Sequence, residues 1–229
     1  PATVLEVYEP EMVRWLFAKY APTDGFAFNF DDTIIRHYSE FDKGLEAVKN
    51  GEADEYNTAV YDLCMINGIN VKAKVPFGVL ASVAPIVDFN PQAVREMLAK
   101  IGVEFDARDE ERLVRVKNWI TKHQPSKMYK LLEKRNDEYY AGLTDEEKAA
   151  VKKLADYIEE HDNVKEQEIQ QYLYGIINDP SLTKKENMAR QQKFFAVFYN
   201  VLFGCDKGPR LYLFLSAIDK SKYFNLLKF

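Results

Sequence analysis

The chain is poor in the residues that catalytic and metal centres require: 229 residues hold 2 cysteines and 3 histidines. Cys64 and Cys205 share no paired spacing, so they read as two ordinary buried thiols of a reducing compartment and not as a disulfide or a metal site. His37, His123 and His161 stand far apart and share no ligand spacing. No G-x-G-x-x-G, Walker loop, H-E-x-x-H or serine elbow occurs, which excludes the dinucleotide, P-loop, zinc-protease and hydrolase classes these motifs define. Asp31-Asp32 offers two carboxylates, but at a helix start the pair reads as a cap that also favours the helix dipole. Apolar runs such as Phe194 to Phe203 are too short to span a bilayer, and no basic segment followed by an apolar one marks the N-terminus. The expected compartment is the cytoplasm, with no membrane partner, metal or catalytic residue. Pro1 in place of methionine points to a piece of a longer polypeptide.

What the chain does have is charge in blocks. Its net charge is −5, a sign that by itself argues against phosphate binding. The distribution differs from the sum. Lys plus Arg against Asp plus Glu runs 10 to 20 over residues 1–111, 8 to 1 over 112–135, 4 to 12 over 136–181 and 9 to 3 over 182–229. Two basic islands therefore interrupt an acidic body, and such clustering can steer an anionic ligand whatever the total. Two helices with solvated lysine faces give the same counts.

Nearly every periodic segment reads as helix. Pro10 suits a first helical position, with Val13, Leu16, Phe17 and Tyr20 on one face. A second helix starts near Asp32-Thr33 and runs towards Gly51, and FAFNF, between the two, alternates like a short extended piece. Residues 54–66 read as a short helix, 68–76 as a loop, and PFGVLASVAPIV as a buried segment. Asn90-Pro91 caps the next helix, which Gly102 closes. Residues 109–123 carry Leu113, Val116, Trp119 and Ile120 on one stripe, flanked by Arg112, Arg115, Lys117 and Lys122. Pro125 is expected to start a further helix bearing Met128, Leu131 and Leu132. Thr144 with Glu147 and Thr183 with Glu186 are capping boxes, opening helices of about 16 and about 20 residues. Gly204 suits the left-handed residue that ends the second, and Gly208-Pro209 is expected to restart a helix at once. The fold class is mostly α, with minor strand content.

In order along the chain, EPEMVRWLFAKYAP, IIRHYSEFDK, NWITKHQPSKMY, LTDEEKAAVKKLADYI and FFAVFYNVLFGCDKGPRL resemble the C-terminal half of class I lysyl-tRNA synthetases. The resemblance covers nearly the whole chain, and its most specific element is Gly204, Gly208, Pro209 and Arg210 after a long aromatic helix. Tyr212 departs from the pattern, which often has glycine there. The ATP signatures of that family's catalytic half are absent; KMYK at Lys127 to Lys130 is only a superficial echo.

The resemblance implies a smaller, mostly helical stem-contact subdomain over residues 1–74 and a helical cage that receives the anticodon over 75–229. It implies recognition of a lysine tRNA, mainly its anticodon stem-loop, by a monomer that turns over nothing alone. ATP and lysine would bind the missing half. At the corner, Gly208 is expected to admit RNA backbone, helix-start amides to point outward, and Arg210 to offer a fork to phosphate or a base edge, with Lys207 beside it. The plainer alternative pairs Arg210 with Asp206 or a helix end. Arg190 and Lys193 on the long helix, Arg112, Arg115, Lys122 and Lys127 on the first island, and Lys72 and Lys74 in the 68–76 loop are further RNA candidates. Trp119 reads as core or as a base platform. A free-standing helical adaptor or synthetase paralogue, binding protein or RNA without catalysis, is the competing class.

Overall fold

The computed structural model describes residues 2–20, 23–69 and 72–229, and among these the regular structure is entirely helical, with no strand. The chain forms two compact units: Pro1–Ala99 with Val103–Met128, and Lys100–Gly102 with Tyr129–Phe229. The first holds α1 (Ala2–Leu5), α2 (Pro10–Lys19), α3 (Thr33–Lys49), α4 (Glu55–Cys64), α5 (Phe77–Val83), most of α6 (Pro91–Lys100) and α7 (Ala107–His123). The second holds α8 (Asp137–Ala141), α9 (Asp145–Glu160), α10 (Glu166–Ile177), α11 (Lys184–Phe203), α12 (Leu211–Ala217) and α13 (Phe224–Leu227). None of the described helices is long and apolar enough to cross a membrane.

In the first unit the helix starts follow their caps. Pro10 is the first residue of α2, Asp54 accepts from Asn57 N at 2.7 Å ahead of α4, and Asn90 accepts from Ala93 N ahead of α6. At α3 the cap is Asp31, whose Oδ1 accepts from Thr33 N at 2.9 Å. Asp106 and Asp109 form a reciprocal capping box that opens α7. The core is aromatic: Tyr38 stacks on Phe77 at 4.2 Å, Phe77 meets Trp119 edge-on at 5.5 Å, and Trp15 meets Phe41 at 5.6 Å.

One charged group sits inside this unit. The Arg112 side chain is 0% exposed, and all five of its N–H donors are used. Nε and Nη2 reach Glu9 at 2.7 and 3.2 Å, Nη1 and Nη2 reach Asp42 at 2.7 and 2.9 Å, and Nη1 also reaches Val75 O at 3.0 Å. One turn earlier, Asp109 Oδ1 accepts from the amides of Lys74 and Val75, each at 2.7 Å, while its Oδ2 accepts from Asp106 N. The loop at residues 74–75 is therefore stitched to α7, and the division expected at residue 74 falls inside the first compact unit.

In the second unit both capping boxes form, and α9 and α11 have 16 and 20 residues. Gly204 ends α11 at φ 71, a conformation that costs other residues steric strain. Phe194, Phe198, Phe214 and Tyr223 fill the core, with Tyr223 Oη donating to Leu215 O at 3.0 Å.

Two expected helix starts are corrected. Pro125 opens only a single 3-10 turn, and residues 128–136 then run without a helix, docked by the Leu132 N to Leu202 O bond at 2.9 Å. After the corner the helix starts at Leu211 and not at Pro209, because Pro209 is buried and its carbonyl is held by Tyr199 Oη at 2.8 Å. Of the two thiols only Cys64 is buried; Cys205 is exposed and donates to Lys207 O.

Replacing Arg112 with alanine strands Glu9 and Asp42 without their cation, so the first unit should lose ~3–5 kcal/mol of stability. Trp15 and Trp119 both lie in this unit, and urea titration followed by tryptophan fluorescence reads the change; a loss under about 1 kcal/mol contradicts the assignment.

Candidate nucleic-acid interface

The first basic island is divided between the compact units, residues 112–128 lying in the first and 129–135 in the second, which also holds the whole of the other island. In the first unit the acidic body largely consumes the cations. Arg112 is the buried ion cluster just described, so its candidacy as an RNA ligand is withdrawn: it has neither exposure nor a free donor. Trp119 is likewise core and not a base platform, with its ring wholly buried and its Nε1 donating to Phe30 O at 2.8 Å. Arg115 is half-buried and donates to the carbonyls of Tyr8 and Glu111. Lys122 pairs with Glu6 at 2.9 Å, Lys127 with Asp32 at 2.9 Å, Lys72 with Glu46 at 3.2 Å and Lys74 with Glu104 at 2.7 Å. Such surface pairs are weak and exchangeable, yet they leave no uncompensated positive field around these four lysines.

In the second unit Arg190 is also engaged. Its guanidinium donates to Ile177 O and Glu146 and lies over the Phe194 ring at 4.7 Å. Lys193, exposed, pairs with Glu147 Oε1 at 2.9 Å.

The corner after α11 differs. Lys207 is exposed and its ammonium has no acidic partner among the described residues. Arg210, with its side chain 52% exposed, is only loosely tethered, Nη1 standing 3.7 Å from Glu166. Asp206, the acid expected to pair with it, instead accepts from Asn200 Nδ2 at 2.8 Å. Arg210 lies over the Tyr212 ring at 5.9 Å, so the residue that departs from the family's pattern supplies a plane beneath the guanidinium.

Along α11 runs a row of rings, half-buried except for Phe203, which is buried. Tyr174 on α10 meets Phe195 on α11 at 6.4 Å, Phe195 meets Tyr199 at 6.3 Å, Tyr199 meets Phe203 at 6.4 Å, and Phe203 meets Tyr129 at 6.2 Å. Burial pushes the Tyr199 phenol well above its ordinary range, and the nearby Tyr129 and Tyr212 phenols add to this; it stays neutral and donates to Pro209 O. Planar faces, one loosely held guanidinium and one free ammonium are what single-stranded bases and their phosphates require. Sequence reasoning named the cations and missed the rings. The spacing of Phe195, Tyr199 and Phe203 was visible, but α11 carries apolar residues all round, which hides which rings face out.

Gly208 has a different task from the one expected. A Cβ there would lie 2.3 Å from Cδ1 and 2.6 Å from Cε1 of Tyr199, so the glycine makes room for a protein ring and not for RNA backbone. Nor does α12 present an anion site: at 7 residues, with no side-chain cap, it is too short. Gly208→Ala should destabilise the second unit by ~1–3 kcal/mol, with part recovered by adding Tyr199→Ala. Circular-dichroism melts check this, and an undisturbed Tm with weakened RNA binding would reinstate the RNA role.

No protein-family model matches the chain. Similarity does extend to aminoacyl-tRNA synthetases, and the matching proteins are lysine–tRNA ligases. The chain is 26% identical over 230 residues to that of Thermococcus kodakarensis, covering 94% of this chain and 42% of that protein. The Streptomyces coelicolor enzyme is 26% identical across 99% of this chain, and that of Picrophilus torridus 29% identical across 92%. The chain is therefore homologous, over nearly its whole length, to a portion of class I lysine–tRNA ligases, and it spans about 42% of the length of these relatives.

Proposed function

We propose that this chain is the tRNA-recognising, C-terminal portion of a cytoplasmic class I lysine–tRNA ligase and reads the anticodon stem-loop of a lysine tRNA. The single observation that carries this is the corner of the second unit, where Arg210 lies over Tyr212, Lys207 is exposed, and the intervening Gly208 and Pro209 pack against Tyr199, one of the rings along α11. Unstacked bases bind by stacking on such planes, at ~1–3 kcal/mol per base, while cations fix the backbone. Activation of lysine with ATP and its transfer to the tRNA belong to the rest of the ligase, and the portion alone, a monomer, binds RNA without turnover. Residues 1–74 serve as the stem-contact part, where the exchangeable pairs of Lys72 and Lys74 can be traded for phosphate.

Titrating labelled lysine anticodon stem-loops across salt concentrations tests the reading. Binding should weaken with salt, fall when the anticodon uridines are changed, and drop about tenfold in Arg210→Ala, or ~1.4 kcal/mol, while Tm is unchanged. Lost stability with unchanged affinity assigns Arg210 a purely structural role. Absence of any RNA shift, with protein captured instead, favours the adaptor class.

A further inference from the structure

Helix α4 is apolar on both of its sides. The inner side buries Val60, Tyr61 and Cys64, and the last turn is pinned by Arg14, which donates from Nε and Nη2 to Cys64 O at 2.9 and 2.7 Å. The outer side carries Tyr56 and Leu63, 63% and 74% exposed, with exposed Ala59 between them and Ile66, 71% exposed, just past the helix end. Single exposed apolar residues are ordinary on a protein surface, and no other helix of the described residues leaves more than one large apolar side chain so open.

This row has a register. Tyr56, Ala59, Leu63 and Ile66 follow one another at steps of 3, 4 and 3 residues, the a and d spacing with which one helix packs along another. In that register Glu55 and Asp62 hold the g positions flanking the seam; both are exposed, and neither has a cationic partner among the described residues. On the opposite flank, between α3 and α4, a cavity of about 490 Å³ opens beside Tyr56 and is lined by Trp15, Gly44, Val60 and Tyr61. Around it stand Glu52 and Asp54 against Lys43, while the Lys19 ammonium is held by Glu40 at 2.9 Å.

We propose that the outer side of α4 is a docking site for an amphipathic helix of a separate protein, apolar along one stripe and basic beside it. Lysine or arginine facing Glu55 and Asp62 completes two ion pairs that this chain leaves open, and a bulky apolar side chain fills the cavity beside Tyr56. Charge selects this occupant. Residues 1–111 carry 20 acids against 10 bases, a field that speeds the arrival of a diffusing basic partner and gives nothing to a segment already tethered to this chain. The same field repels RNA. A second copy is disfavoured in either direction: antiparallel pairing of two α4 helices sets g against g, acid against acid, and parallel pairing sets each acid against position e, which is the buried Val60. The inference rests on neither the homology nor the anticodon reading, so each can fail alone.

Two synthetic helices test it, both with leucine along one stripe, one flanked by lysine and the other by glutamate, with binding to this chain read by fluorescence anisotropy. The lysine peptide should bind about tenfold more tightly than the glutamate peptide, and the advantage should fade as salt rises. Leu63→Gln should abolish that binding while leaving Tm within about 2 °C, because the side chain it replaces is already in water and glutamine keeps the helix. Glu55→Lys combined with Asp62→Lys should reverse the preference. Equal binding of the two peptides, or binding that survives Leu63→Gln, overturns the proposal. Self-association in sedimentation that Leu63→Gln removes also overturns it, by assigning the face to a second copy. Hydroxyl-radical protection of Tyr56 and Leu63 within a full-length ligase carrying this sequence assigns the face to the rest of that enzyme, and protection on adding tRNA assigns it to RNA; either result overturns the proposal.

Discussion

The first unit is organised around a guanidinium that can neither lose its charge nor reach water. Arg112 stays protonated at any relevant pH, so its burial is tolerated only because two carboxylates and a carbonyl meet all of its donors. Burial alone would push its proton off; Glu9 and Asp42 reverse the direction and hold it on. Its partners come from the lead-in to α2, from α3 and from the loop before α5, so each must arrive in register for the charge to be matched. A group of this kind contributes less to net stability than to selecting one arrangement over near alternatives, and the Tyr38 ring beneath it, 5.0 Å from the guanidinium carbon, narrows the choice further.

The two units use polar and planar groups in opposite ways. In the first, Arg112, Lys122 and Lys127 are matched by acids and the tryptophans are sealed. In the second, Phe194, Phe198 and Phe203 of α11 are buried, whereas Phe195 and Tyr199 stay partly exposed along its side. Tyr199 shows the compromise most clearly. One side of its ring packs against Gly208, its hydroxyl holds Pro209, and the Phe195 and Phe203 rings stand 6.3 and 6.4 Å away. The same packing that shapes the corner leaves Arg210 without a close anionic partner, since Asp206 is turned towards Asn200.

Much of this was legible in the amino-acid string and some was not. Capping boxes at Thr144 and Thr183, the left-handed Gly204 and the Trp119 stripe are local signals whose cause lies within a few residues, and each appears where the pattern places it. The helix expected after Pro125 failed because its apolar residues serve a crossing segment bonded to the end of α11, a tertiary demand that overrides local preference. At the candidate site the charges were readable but their status was not. Arg112 sits on the edge of its own apolar stripe, yet its burial depends on Glu9, 103 residues away, and no local pattern reports that pairing. Helix α10 lacks a side-chain cap altogether, which removes the usual signature of its start.

Residue 75 is gripped twice by α7: its amide by Asp109 and its carbonyl by Arg112. These grips close loops of 34 and 37 residues, whereas the pair with Glu9 closes one of 103. Chain entropy rises with the logarithm of loop length, so the shorter closures come about 1 kcal/mol cheaper. On loop entropy alone, α5 and α6 are expected to close against α7 before the N-terminal segment joins them. Kinetically that sequence shows as a larger folding-rate effect at Asp109 than at Glu9 for the same loss of stability, and the reverse ranking excludes it.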